Sequence, residues 1–229
     1  MTTDKNPDKD SDKKVDTVHP LAVGLPTDGR EIERRSHQMI DEQLAAMDLT
    51  PAVLPIARRV IHATADFTFG ESLRVHPQAI DRAVAAIAAR RPIVCDVRMV
   101  QAGITKTGCE VLCAVSDPEV IRRAKAQGCT RSAAAMEFLA EKIDGAIVAV
   151  GNAPTALWKI LELAAKGTVR PAVVVGLPVG FVGASESKQA LLESDLCYIT
   201  NIGPRGGSPV AAAAVNALAM AARAAENPR

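Results

Sequence analysis

The sequence predicts an α/β fold: a three-layer α/β/α sandwich around a mainly parallel sheet of about five strands. Three observations carry that expectation. Short, almost wholly apolar runs at 93–97, 111–115, 146–150, 172–176 and 196–200 lack the alternation of a strand with one wet face, as strands buried on both sides do. Segments of helical period separate most of them. The chain of 229 residues is 48% apolar but only 3% aromatic. Small aliphatic side chains therefore build the core, which suits helices packed closely on a sheet, and the length suffices for a substantial one.

Taken in order, residues 1–27 are rich in Asp, Lys, Thr and Pro and show no hydrophobic period. Such a segment buries too little apolar surface to offset the cost of ordering it, so a disordered tail is expected, with one folded domain over 28–229. Asp28 and Glu31 have the spacing of a capping box, and Ile32, Met39, Ile40, Leu44 and Met47 follow with helical period. Thr50-Pro51 reads as the start of a second helix, a cap followed by proline at the first helical position. That helix carries Val53, Leu54, Ala57, Val60 and Ile61 on one side and ends close to His62.

A helix near 77–90 precedes the first apolar run. After the second run, Asp117-Pro118 opens a helix that stops near Gly128, and Thr130 caps the next one. The third run leads through Gly151-Asn152-Ala153-Pro154-Thr155 into a helix ending near Gly167. The fourth is followed by a loop and a helix around 186–193, then by the fifth run and an Ala-rich helix from about 209. Two N-terminal helices thus precede the sheet.

Composition narrows the function. With 27 basic and 26 acidic residues, the chain lacks the positive excess of a nucleic-acid binder, and it has few aromatic side chains for stacking bases. The five cysteines, Cys95, Cys109, Cys113, Cys129 and Cys197, are odd in number and sit in mostly apolar contexts. They read as reduced core residues of a cytoplasmic protein, and no protein metal site is expected. The charged N-terminus has no apolar signal stretch, and no run approaches the length of a membrane span.

Open α/β sheets bind ligands beyond the carboxyl ends of their strands, where loops run into helix N-termini. The unusual loops fall there: 96–103, Thr130-Arg131-Ser132, Gly151 to Thr155, 176–188 and Gly203-Pro204-Arg205-Gly206-Gly207-Ser208. With Arg131 and Arg205 nearby, several helix starts would suit a ligand carrying several carboxylates or phosphates. None of the loops is a nucleotide fingerprint: the last lacks the Lys-Ser/Thr ending of a P-loop, and no Gly-x-Gly-x-x-Gly follows a strand. His62 stands in an apolar helical run followed by Thr64 and Asp66, so its imidazole can handle a proton. On the residues alone, a core histidine bonded to a backbone carbonyl fits it slightly better. His37 could serve either way, and His19 and His76 read as surface residues.

Several runs together resemble the precorrin-8X and cobalt-precorrin-8 methylmutases of corrin biosynthesis. They are Glu31-Ile32-Glu33-Arg34-Arg35-Ser36, Arg59-Val60-Ile61-His62-Ala63-Thr64-Ala65-Asp66-Phe67 and Ala126-Gln127-Gly128-Cys129-Thr130-Arg131-Ser132. Further on stand Gly151-Asn152-Ala153-Pro154-Thr155-Ala156-Leu157, Gly176-Leu177-Pro178-Val179-Gly180-Phe181-Val182-Gly183-Ala184, Glu186-Ser187-Lys188 and Gly206-Gly207-Ser208. The resemblance implies an isomerase that moves a methyl group from C11 to C12 of a tetrapyrrole, with no cofactor consumed and His62 as the catalytic residue. It also implies a homodimer whose clefts are built partly by both subunits.

A flat macrocycle fringed with carboxylates needs apolar walls, which residues such as Phe181 can supply, and several anion sites. Ser36, Arg59, Arg131, Asn152 and Arg205 are the expected substrate contacts, Arg59 fitting equally an exposed helix residue. The run after His62 looks closer to the cobalt branch, while Pro204 stands where relatives usually carry another residue. Two other readings compete: a tetrapyrrole carrier that does not turn over, and a nucleotide-dependent α/β enzyme.

Overall fold

The computed structural model describes residues 28–51 and 53–226, so the tail expected over 1–27 lies outside the described residues. The described residues divide into two units after Arg35. In the first, Asp28 caps the helix, but its Oδ1 accepts the Arg30 N–H at 3.0 Å rather than the Glu31 N–H that makes one half of a capping box. Glu31 does not supply the other half. It pairs with Arg34 at 2.8 Å and Arg35 at 2.6 Å instead, and the two guanidinium groups hold its carboxyl down at about 2.

The elements run α1 (Gly29–Leu44), α2 (Leu54–Thr64), α3 (Thr68–Ser72), β1 (Leu73–Val75), α4 (Ala79–Ala88), β2 (Ile93–Cys95), α5 (Arg98–Gly103), β3 (Val111–Leu112) and α6 (Pro118–Gln127). They continue with α7 (Arg131–Phe138), α8 (Ala140–Ile143), β4 (Ile147–Val150), α9 (Pro154–Ala165), β5 (Val173–Gly176), α10 (Ala184–Leu192), β6 (Tyr198–Asn201) and α11 (Ser208–Glu226). The caps expected at Asp117 and Thr130 are in place: their side chains accept the N–H groups of Glu119 and Ala133. Helix α2 starts later than expected. The Thr50 carbonyl accepts from Val53 and Leu54 in a preceding turn. Pro55 sits in the first helical turn and has no N–H to return to the carbonyl of Pro51, so the ladder cannot begin at 51.

The sheet has six strands in the order β1-β6-β5-β4-β2-β3. All neighbours are parallel except β1, which pairs antiparallel with β6. Three residues in a polar stretch are too few to show a strand period, so this edge strand escapes sequence patterning. Side chains of period two divide the core between two faces. Ile93, Cys95, Ile147, Ala149, Val173 and Val175 join α2, α4, α5 and α11 in one cluster. Val94, Val148, Val150 and Val174 join α9, Leu191 of α10 and Met136 of α7 in the other. These are the three layers expected.

Helix α11 is long and apolar enough, by length and composition, to cross a membrane, which was not expected; 61% of that window is buried inside the protein. Its alanines let α2, α4 and α5 pack closely against it.

Candidate active site

Strand order reverses between β2 and β4. The chain leaves β2 through α5 towards β3, and leaves β4 through α9 towards β5 on the other side. Because α5 and α9 lie on opposite faces, the carboxyl ends of these two strands form the topological switch point, where the crevice of an open α/β sheet takes its ligand. Its floor is Asp96, the residue after β2, with no exposed surface. Its Oδ1 accepts the Gly151 N–H at 3.1 Å, and its Oδ2 accepts those of Asn152 at 2.8 Å and Ala153 at 2.7 Å. Burial pushes the Asp96 carboxyl upward, and the three backbone donors pull it the other way.

Two expected contacts stand on the walls of this crevice. Arg131 is the first residue of α7 and is exposed, and Asn152 is exposed in the loop before α9. The two helix starts are tied together by a 2.7 Å hydrogen bond between the hydroxyls of Thr130 and Thr155. Ser132 Oγ donates to the main-chain oxygen of Asp96 at 3.2 Å, which anchors α7 to the same floor.

Helix α2 places a second group. Its apolar face (Ile56, Ala57, Val60, Ile61) is buried, which leaves Arg59 and His62 half-buried, one turn apart. The His62 ring stacks on His37 of α1, with centroids 4.7 Å apart and planes at 21°. Nδ1 of both rings is buried. Ser36 is half-buried beside His37. Arg59 Nε is buried and makes no hydrogen bond among the described residues. The helix ends at Ala65 in the left-handed conformation (φ 51°), whose N–H returns to the Ile61 carbonyl.

The loop 203–208 runs between the two groups. The Arg205 guanidinium binds Asp66 and, at 2.7 Å, the hydroxyl of Thr68, so it is already engaged four residues beyond His62. At the loop's other end, the backbone of Ser208 backs Gly151 so closely that a Cβ there would lie 2.9 Å from Ser208 Cα. Lys188, only 1% exposed, donates from beneath to Asn201 Oδ1 and to the Arg205 carbonyl. No carboxylate faces it among the described residues, and burial lowers its pKa to about 8.

Of the residues singled out from sequence, Arg131 and Asn152 are brought together, Ser36 and Arg59 flank the imidazole pair, and Arg205 is drawn to Asp66. Sequence reasoning overlooked Asp96 and Lys188 and left His37 open. Asp96 had a signal, an acidic residue ending an apolar strand. His76, read as a surface residue, is half-buried; its Nδ1 accepts the Gln78 N–H at 3.2 Å and its ring meets Tyr198 edge-on. The arrangement offers a proton-handling imidazole, cationic side chains on separate loops and an apolar loop tip, with Phe181 and Val182 almost wholly exposed. Among the described residues no three His, Cys, Asp or Glu side chains converge as a metal site requires.

The family profile described as precorrin-8X methylmutase matches residues 31–221. The chain is 42% identical over 203 residues to the cobalt-precorrin-8 methylmutase of Priestia megaterium, covering 86% of this chain and 90% of that protein. It is 41% identical over 198 residues to the precorrin-8X methylmutase of Pseudomonas aeruginosa, covering 84% and 95%. The crystal structure of the precorrin-8x methyl mutase from Thermus thermophilus superposes with a TM-score of 0.79 at 40% identity, over 88% of this chain and 100% of that one. Matched over nearly the whole of the described chain in both sequence and fold, this protein belongs to the precorrin-8X methylmutase family.

Proposed function

We propose that this enzyme rearranges precorrin-8 in cobalamin biosynthesis by moving a methyl group from C11 to C12 of the macrocycle, with His62 as general acid and base. The observation that supports it best is the setting of His62: in the last turn of α2, half-buried, stacked on His37 and one turn from Arg59. The shift is intramolecular and formally a [1,5]-sigmatropic migration. His62 lends the macrocycle a proton, or a hydrogen bond, at the migrating centre and takes it back once the methyl has moved. The carbonyl end of α2 favours positive charge on the imidazole while it holds that proton. A positioned general acid contributes about 10²–10⁴-fold. The remainder comes from holding a flat substrate in a reactive geometry away from water.

The acetate and propionate fringe is matched by Arg131, Asn152, Arg59 and Ser36, with Arg205 shared between Asp66 and the ligand. The exposed tip at Phe181 and Val182 offers an apolar wall. The cobalt-loaded form is the proposed substrate, on the run after His62. Overall identity does not separate the branches, since the two relatives quoted differ by only one percentage point. Any cobalt would be part of the substrate, and no cofactor is assigned. A homodimer with a shared cleft belongs to the same proposal.

The test is to incubate the protein with metal-free and cobalt-loaded precorrin-8 side by side and follow the visible spectrum, which changes as the conjugated system does. Turnover is expected with the cobalt form. His62→Ala is expected to fold and bind product while kcat falls by about 10²-fold or more. Full turnover by that variant would remove His62 from catalysis. A wild type that binds both corrinoids and converts neither is a carrier.

A further inference from the structure

Asp96 lies where the two halves of the sheet diverge, and nothing so far gives it a part in the reaction. This one residue accepts four hydrogen bonds. Its two carboxylate oxygens take the N–H groups of Gly151, Asn152 and Ala153, and its carbonyl takes the hydroxyl of Ser132. The first three groups are the entry to α9, the natural place for a ligand carboxylate at a helix N-terminus. The chain fills that place with its own anion. A substrate carboxylate therefore does not bind these N–H groups; it meets the side chains that they hold in position.

The consequences for those side chains are specific. The Asn152 main chain is fixed to the floor, so its side chain is carried outward to the exposed rim. Ser132, pinned to the Asp96 carbonyl and 7% exposed, anchors the first turn of α7, whose first residue is the exposed Arg131. The bond between Thr130 and Thr155 closes the two walls into one unit. We infer that Asp96 is a positioning residue for the substrate crevice, holding Asn152 and Arg131 at a fixed separation so that together they take the carboxylate fringe of the macrocycle. This rests on the proposed function.

Asp96→Asn keeps the volume but turns an NH₂ group towards at least one of the three N–H donors. Removing a charge-assisted bond of this kind should raise KM and the Kd for product about tenfold, with kcat within about threefold of wild type. A merely structural role would lower the melting temperature and leave KM alone. Ser132→Ala deletes a single bond to the same residue and should raise KM in the same sense, by about two- to fivefold; it carries the test if Asp96→Asn does not fold. A folded Asp96→Asn enzyme with unchanged KM, or in its absence an unchanged Ser132→Ala enzyme, overturns the positioning role while leaving the methylmutase proposal standing. A wild type inactive on both forms of precorrin-8 overturns the proposed function itself.

Discussion

Lys188 is an ammonium group almost wholly out of water, and its two acceptors, the Asn201 side-chain oxygen and the Arg205 carbonyl, carry no formal charge. Neutral acceptors offset only part of the cost of burying a charge, so its pKa falls from 10.5 to about 8. Between those values the unfolded chain holds a proton that the folded chain has released. Stability therefore rises with pH across the window from about 8 to 10.5, with a slope of at most about 1.4 kcal/mol per pH unit. Below it both states are protonated and the cost is constant. Thermal unfolding at a series of pH values should show this rise in wild type and lose it in Lys188→Met. Equal slopes would mean that burial leaves the lysine's pKa where it stands in the unfolded chain. The neutral amine keeps enough N–H donors for both bonds, so the Arg205 carbonyl stays held through the change. The Arg205–Asp66 pair above it is different. Its guanidinium side is 59% exposed, so it contributes little stability, and under the proposed function it exchanges Asp66 for a substrate carboxylate.

At the scale of the element, the loop 203–208 owes its course to one close approach. A Cβ on Gly206 would press into the carbonyl oxygens of Leu177 and Pro178, backbone atoms that cannot move aside without disturbing the strand end of β5. The neighbouring Gly207 N–H completes the junction by donating to the Leu177 carbonyl at 2.9 Å. Gly206→Ala is expected to cost about 2–4 kcal/mol, read as a lower denaturant midpoint, and to raise KM through the displaced Arg205. A midpoint within experimental scatter of wild type would show that the loop adapts. The same logic applies across the crevice, where Gly151 is pressed between Val100, Ala211 and Ser208. A larger residue there would part α9 from α11. Loop chemistry at this edge is thus set by how tightly backbones meet.

For the whole molecule, the proposed homodimer predicts sedimentation at twice the chain mass, with or without product. A single-chain mass under both conditions would remove the shared cleft from the proposal. Much of the architecture was legible from sequence. Apolar runs with no wet face, helix caps at Asp117 and Thr130, and two-faced burial are local properties, written in neighbouring residues by side-chain period and by capping chemistry. From these the chain determined its layers and its loops, and its motifs named the family. Only the tertiary structure decided what those loops do to one another. Asp96 meets the donors at Gly151, Asn152 and Ala153 from 55 to 57 positions away, His62 stacks on a residue of another helix, and Arg205 reaches back to Asp66. Such contacts join segments that no periodicity links. They exist because packing brings distant segments together, and a polar group buried there, as Asp96 is, takes its partners from the backbone it meets.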